Sequence, residues 1–327
     1  MAGDDDVEAV LRPAQRGIVD CGGQVWIGLR QVVIFVHQDD QAGQFIALGV
    51  QSLYFVYACL PEQGGPAVYW RQDGKEMYYF TSDRGLMAVG VSTAPTFKFG
   101  EPKLLFRLSE ALTLASNQAS VSRDGQRVLI AVPHAPTIQQ ITVFDRQGKV
   151  VATVGERAIY DRPVFSPDRT RLAVRKEDLE SETQDVWVLD MATGNSTRIT
   201  SNQTQEQERT RWPVWSPDGS QVAYVALRGG YWGLYRKASN GEGTEELLYQ
   251  HPGANMILAD WSLDGRFLSF STTDLSGGTL YALPLAGDGE RKPIVVFRSE
   301  SQLGGPRLSP DSRFLAYGLD QSGRFEL

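Results

Sequence analysis

An all-β fold, a six-bladed β-propeller of four-stranded antiparallel blades, is what this sequence predicts, and three observations predict it. The first is one phrase: Arg211 to Tyr224 reads Arg-Trp-Pro-Val-Trp-Ser-Pro-Asp-Gly-Ser-Gln-Val-Ala-Tyr, an apolar strand, a tight turn and a returning strand. Pro217 presets φ, Asp218 can accept from backbone N–H groups two residues on, and Gly219 takes the positive φ that closes the turn. The second is recurrence. The phrase returns as Trp70-Arg-Gln-Asp73-Gly74, Val121-Ser-Arg-Asp124-Gly125, Phe165-Ser-Pro-Asp168, Trp261-Ser-Leu-Asp264-Gly265 and Leu308-Ser-Pro-Asp311, so that the turn aspartates recur every 44 to 51 residues. That period suits one four-stranded blade. The third is that the strands between turns are apolar on both faces, as blades packed between two neighbours require.

Residues 1–40 are read as a leader and irregular segment, and 41–327 as a single propeller domain. The first residues, Met-Ala-Gly-Asp-Asp-Asp, are acidic where a secretory signal is basic. Two apolar runs follow, Val25 to Val36 and Phe45 to Leu60. The second is too short and too broken by Gly49, Gln51 and Ser52 for a membrane span. The last repeat stops soon after Phe314-Leu-Ala-Tyr317 and lacks outer strands, so the expectation is that Phe45 to Leu60 supplies them and closes the ring. Between these ends come the blades. Blade one runs through Met77 to Phe80, Leu86 to Val89 and Lys103 to Phe106, and blade two carries Arg127 to Val132 and Ile141 to Phe144. Blade three has Leu172 to Val174 and Val186 to Leu189. Blades four and five turn at Gly229-Gly230-Tyr231-Trp232 and at Asp274 to Gly278.

An aromatic followed by Ser-Pro-Asp-Gly, complete at Trp215 to Gly219, resembles the TolB-like propeller repeats, relatives of the WD repeats. Arg169, Leu263 and Ser312 depart from that pattern at single positions. The resemblance spans roughly Pro66 to the C-terminus and implies a binding module that recognises a peptide, protein or small molecule. The family includes periplasmic scaffolds, sensor segments of kinases and gating propellers of peptidases, so it implies a fold more sharply than an activity.

A net charge of −7 over 327 residues lacks the basic stripe that a nucleic-acid partner needs. Cys21 and Cys59 have no metal-like spacing. The chain as given reads as cytoplasmic, or as periplasmic if an export signal has been removed. There is no Gly-x-Ser-x-Gly elbow, phosphate-cradling loop, Cys-x-x-Cys pair or His-Glu-x-x-His.

Blade topology puts the Ser-Pro-Asp-Gly turns on one face and the loops leading into the innermost strands on the other. The turn aspartates are therefore structural, and chemistry is sought at the opposite mouth. Asn117, Asp161, Glu208, Asn255 and Glu300 approach it as oxygen donors, the set that a hard cation such as calcium takes. With such a cation, His251, Asp260 and His134 are the candidates for catalytic groups in a hydrolase of esters, lactones or phosphotriesters. Arg162, Arg211 and Arg307 could pair with those carboxylates, or hold an anionic ligand or a partner's carboxylate through forked hydrogen bonds. Trp212, Tyr231 and Trp232 could anchor a partner at the rim, whereas Trp70, Trp215 and Trp261 pack between blades.

Overall fold

The computed structural model describes residues 15–21, 24–39, 44–55, 64–81, 83–92, 98–108, 119–133, 138–178, 183–200, 210–251, 255–274, 277–285, 291–300, 306–311, 314–316, 319–320 and 325–326, with side chains from Val68 onward except at 98–99, 133, 274, 314–315, 319–320 and 325–326. These residues form an all-β chain of mostly four-stranded antiparallel sheets. Sheet one contains Gly64–Trp70, Glu76–Thr81, Gly85–Ser92 and Lys103–Arg107, with Lys98–Phe99 also beside its third strand. Sheet two contains Ala119–Val121, Arg127–Pro133 and Gln139–Asp145, and ends on the long strand Val150–Phe165. That strand then opens sheet three, which continues through Arg171–Glu177, Gln184–Asp190 and Ser196–Arg198. Sheet four is Thr210–Trp215, Gln221–Arg228, Tyr231–Ala238 and Glu246–His251, and sheet five is Asn255–Trp261, Phe267–Asp274, Gly277–Pro284 and Ile294–Ser299.

In the last sheet, Arg307–Leu308 pairs with Phe314–Ala316, and Phe314–Ala316 pairs with Gln44–Phe55. The N-terminal run thus joins the last repeat, with Phe314 opposite Tyr54 and Leu315 opposite Phe55. The pairing is parallel, which departs from the antiparallel blade expected there. Gln24–Asp39 and Gln15–Cys21, in the stretch read from sequence as an irregular leader, extend the same sheet.

The core lies between sheets. Trp212, Val214, Leu234 and Leu248 of sheet four pack with Met256, Leu258, Leu268 and Phe270 of sheet five. Ala173, Val186 and Ile199 of sheet three pack with Trp215, Val222 and Tyr224 of sheet four. Sheets two, three and four are covered on both faces, which is why their strands read as continuous apolar runs.

The turn face follows one hydrogen-bond plan. Ser216 Oγ donates to Asp218 Oδ1 at 2.5 Å, Asp218 Oδ1 accepts from Ser220 N–H at 3.0 Å, and Ser216 Oγ accepts from Gln221 N–H at 2.9 Å. The same triad recurs at Ser122/Asp124/Gln126 and at Ser262/Asp264/Arg266. Gly219 has a φ of 70°, and Arg169, in the equivalent glycine position of sheet three, has a φ of 62°. A side chain in this left-handed region costs roughly 1–2 kcal/mol. An ion pair from Arg169 to Asp124 of the preceding turn offsets part of that cost. Other arginines tie neighbouring sheets on this face. Arg146 donates to Glu76 at 2.6 Å and to Tyr78 Oη at 2.8 Å. Arg171 donates to Ser239 Oγ at 2.9 Å and to Gly219 O at 3.0 Å, with its guanidinium 4.9 Å over Trp215.

Candidate functional site at the inner strands

Each sheet opens on a strand running into its Asp turn, and these opening strands are one another's neighbours. Asn255–Trp261 lies against Thr210–Trp215 and Arg307–Leu308, Arg307–Leu308 lies against Gly64–Trp70, and Val150–Phe165 lies against Ala119–Val121 and Thr210–Trp215. Tyr69 Oη donates to Ala119 O at 2.7 Å, joining sheets one and two.

Two opening strands are bulged at matching places. Register shifts fall between Asp161 and Val164 and between Arg211 and Val214. Within them Arg162 has a φ of 52° and Trp212 a φ of 54°. Each stands six residues before its turn aspartate and directly before a proline. A bulge re-aims side chains, and a non-glycine residue held in this region marks strain that the surrounding packing sustains.

The re-aimed side chains form a ladder. The Arg162 guanidinium lies 4.9 Å from the Trp212 ring centre, and that of Arg211 lies 5.8 Å from Trp212 and 5.3 Å from Trp232. Such contacts contribute about 0.5–2 kcal/mol each, more as water is excluded. Trp212 is only 8 % exposed and belongs to the core between sheets four and five, so it stands beneath Arg162 and Arg211 rather than at a rim. Tyr231 is 54 % exposed, at the end of a two-residue hairpin loop in which Gly229 and Gly230 both have positive φ.

The charges here are deeply placed. Arg162 Nε is shielded from solvent and has no hydrogen-bond partner among the described residues. Burial pushes the Arg162 guanidinium down to about 9, Asp161 opposes that, and Arg307 adds to it from a strand three sheets further on. It remains protonated at neutral pH. Asp260 accepts from Trp261 N–H at 2.9 Å and from Leu308 N–H at 3.2 Å, bridging two opening strands. Burial raises its pKa, while Arg307 and Arg123 hold it down. Arg123, also three sheets from Asp260 along the chain, is lowered by burial and raised by that carboxylate. Burial raises Tyr69, which senses Arg307 and Arg162. Asp161 is engaged by Arg175 at 3.4 Å. Arg123 and Arg307 thus act on Asp260, while Arg162 and Arg175 share Asp161, an excess of positive charge among the described residues.

Three of the oxygen donors expected at a cation are among the described residues. Asn255 is exposed and paired with Thr273, Glu300 is exposed just beyond Ile294–Ser299, and Asp161 is turned to Arg175. Asn117, Glu208 and His134 lie outside the described residues. Among the described residues no group of three His, Cys, Asp or Glu side chains is placed to hold a metal ion. His251 is on the outermost strand of sheet four, its ring 6.3 Å from both Tyr249 and Tyr281. Three strand spacings, about 14 Å, separate that position from the inner edge of its sheet. Asp260, on an innermost strand, is thus not its neighbour within a sheet.

Arg123 and Tyr69 were not singled out from sequence, although both left a signal. Arg123 replaces proline in its turn phrase. Tyr69 stands four residues before Asp73, the register position that also holds Asp260 and Arg307.

Comparison with known proteins fits this architecture. The structure is similar to a putative TolB from Agrobacterium tumefaciens, with 16 % identity, a TM-score of 0.57, and coverage of 87 % of this chain and 94 % of that one. It is also similar to an oligogalacturonate lyase from Vibrio parahaemolyticus, with 14 % identity, a TM-score of 0.59, and coverage of 98 % and 97 %. At these identities the likeness concerns the fold alone. In sequence, 109 residues are 32 % identical to the uncharacterized peptidase YuxL of Bacillus subtilis, covering 32 % of this chain and 16 % of that protein. No helix among the described residues is long and apolar enough to cross a membrane. The TolB beta propeller domain model matches residues 115–327, well over half of the chain, and the chain belongs to that family.

Proposed function

We propose that this chain is a binding module: a six-bladed propeller, closed by its N-terminal strands, that takes a peptide, protein or small ligand at its axial mouth. One observation carries the reading. Arg162 and Trp212 sit on bulged, left-handed backbone at matching positions of neighbouring opening strands, and with Arg211 and Trp232 they make a cation–aromatic ladder. Strain held at the same place in two repeats is a feature of sites where side chains must be aimed. Aromatic and arginine side chains are also the commonest anchors of binding surfaces. In a ring of six, sheets two and five face each other, as do three and six. The mutual influence of Arg123 with Asp260, and of Arg162 with Arg307, then acts across the axis.

The test is selection of peptides from a random displayed library on the immobilised protein, followed by calorimetry. The selected peptides are expected to lose about tenfold or more in affinity on Arg211→Ala/Tyr231→Ala, the scale of one hot-spot contact. They are expected to bind Asp218→Ala, altered on the other face, unchanged. Equal binding to the mouth variant overturns the reading. The competing reading, a cation-centred hydrolase using calcium, predicts turnover of an ester, lactone and phosphotriester panel that chelator abolishes and added metal restores.

A further inference from the structure

We infer that the axial channel of this propeller is an anion site, and that the group it takes is a carboxylate of the bound ligand, forked by Arg162 with Arg123 and Arg307 close by. The inference rests on the binding-module reading and adds the chemistry that the module recognises. It starts from a charge imbalance. Arg175 is matched by Asp161 at 3.4 Å, and Asp260 spends both oxygens on the backbone N–H groups of Trp261 and Leu308. One carboxylate already committed to two amides then stands against Arg123 and Arg307, and Arg162, next to Arg307, has only Asp161, shared with Arg175.

Placing a cation away from water costs several kcal/mol unless a partner meets it. Two half-buried arginines of the turn face have such a partner: Glu76 meets Arg146, and the Gly219 carbonyl and Ser239 hydroxyl meet Arg171. Arg162 differs. Its Nε is shielded and without a hydrogen-bond partner among the described residues, and Trp212 supports one face of its guanidinium at 4.9 Å. A guanidinium held over a ring, with no hydrogen-bond partner at its Nε, is prepared for a planar, two-oxygen acceptor, which a carboxylate supplies. The strained φ of 52° fixes that aim before any ligand arrives. Asp260 has a second role in this arrangement: a fixed negative charge beside Arg123 and Arg307, of which Arg307 already donates Nη1 to the Ala259 carbonyl.

The probes are short N-acetylated peptides taken from the library selection, each made with a free C-terminal carboxylate and as the C-terminal amide, together with versions in which internal Glu or Asp is changed to Gln or Asn. Binding is read by calorimetry at two salt concentrations. Removing the recognised carboxylate, terminal or internal, is expected to weaken binding about tenfold or more, the scale of a lost charge-assisted pair. The amide and side-chain arms tell the two sources apart. Arg162→Gln is expected to abolish the difference between acid and amide, and Arg162→Lys to restore only part of it, because a point charge cannot fork. Raised salt is expected to weaken the acid form alone. Peptides that bind equally well with every carboxylate neutralised would overturn the inference while leaving the binding module standing. Failure of the Arg211→Ala/Tyr231→Ala variant to affect any peptide would instead remove the module reading and this inference with it. If Arg162→Gln unfolds the protein, Arg123→Gln serves in its place, with the same expected loss of discrimination.

Discussion

The two ends of the repeated opening strands obey opposite rules. At the turn end each aspartate is satisfied by its own turn, so that Asp218 accepts from Ser216 and Ser220 and needs nothing from outside. Four to seven residues before those aspartates, toward the mouth, the same strands carry arginines stacked on tryptophan and a carboxylate that bridges two strands. One end is locally closed and repeats with little variation. The other differs from sheet to sheet, with Tyr69, Asp260 and Arg307 at one register position. A repeat architecture keeps what every sheet needs and leaves variable what only the whole ring can use.

The sharpest way to break this contrast is Asp260→Ala, which leaves Arg307 and Arg123 facing each other without their carboxylate and removes the tie to Leu308. A loss of about 3–5 kcal/mol is expected, as for removing one partner of a buried ionic group, read from chemical denaturation. Arg162→Met is expected to act in the other direction. Replacing a buried charge by an apolar side chain over Trp212 is expected to raise stability by about 1 kcal/mol while binding at the mouth is lost. A mouth built for packing alone would lose stability on that change.

Asp218→Ala belongs to the closed end and is expected to cost about 0.5–1 kcal/mol, a local hydrogen bond discounted for its exposure to solvent, with binding unaltered. The aspartates give that end a pH signature as well. The hydrogen bonds from Ser216 and Ser220 hold Asp218 below the ordinary carboxylate range, and the one from Arg71 does so for Asp73. Their contribution is therefore complete above the unfolded value of about 3.9 and is lost as pH falls through the lower folded value. Wild type and Asp218→Ala should converge in stability as pH drops below about 4.

How far the sequence could be read follows the same division. The Ser-Pro-Asp-Gly phrase is local chemistry, so its turns, its strands and the structural role of its aspartates were legible, as was the N-terminal run joining the last repeat. The parallel pairing of Phe314 with Tyr54 was not, because no local pattern fixes strand direction between distant segments. At the mouth the residue types were visible but their partners were not. Asp161, read as a cation ligand, has Arg175 as a partner fourteen residues on, which no local pattern announces. Trp212 read as a rim anchor because nothing in Arg-Trp-Pro announces a bulge that turns the ring into the core. The smallest expected effect comes from the turn that places Arg169 where the phrase has glycine. In Arg169→Gly, relief of backbone strain and loss of the ion pair to Asp124 oppose each other, and the net change is expected to stay within about 0.5 kcal/mol.

The central claim is that the mouth presents an arginine fork held in readiness for a carboxylate. The side-chain Nε–H resonance of Arg162, assigned by its loss in Arg162→Gln, tests it most directly when a free-acid peptide and then its neutral counterpart are titrated into arginine-labelled protein. A saturable shift of that resonance with the acid, absent with the neutral peptide and accompanied by no shift at Arg146 or Arg171, is the result expected. A resonance that stays fixed while the acid peptide binds would contradict the account.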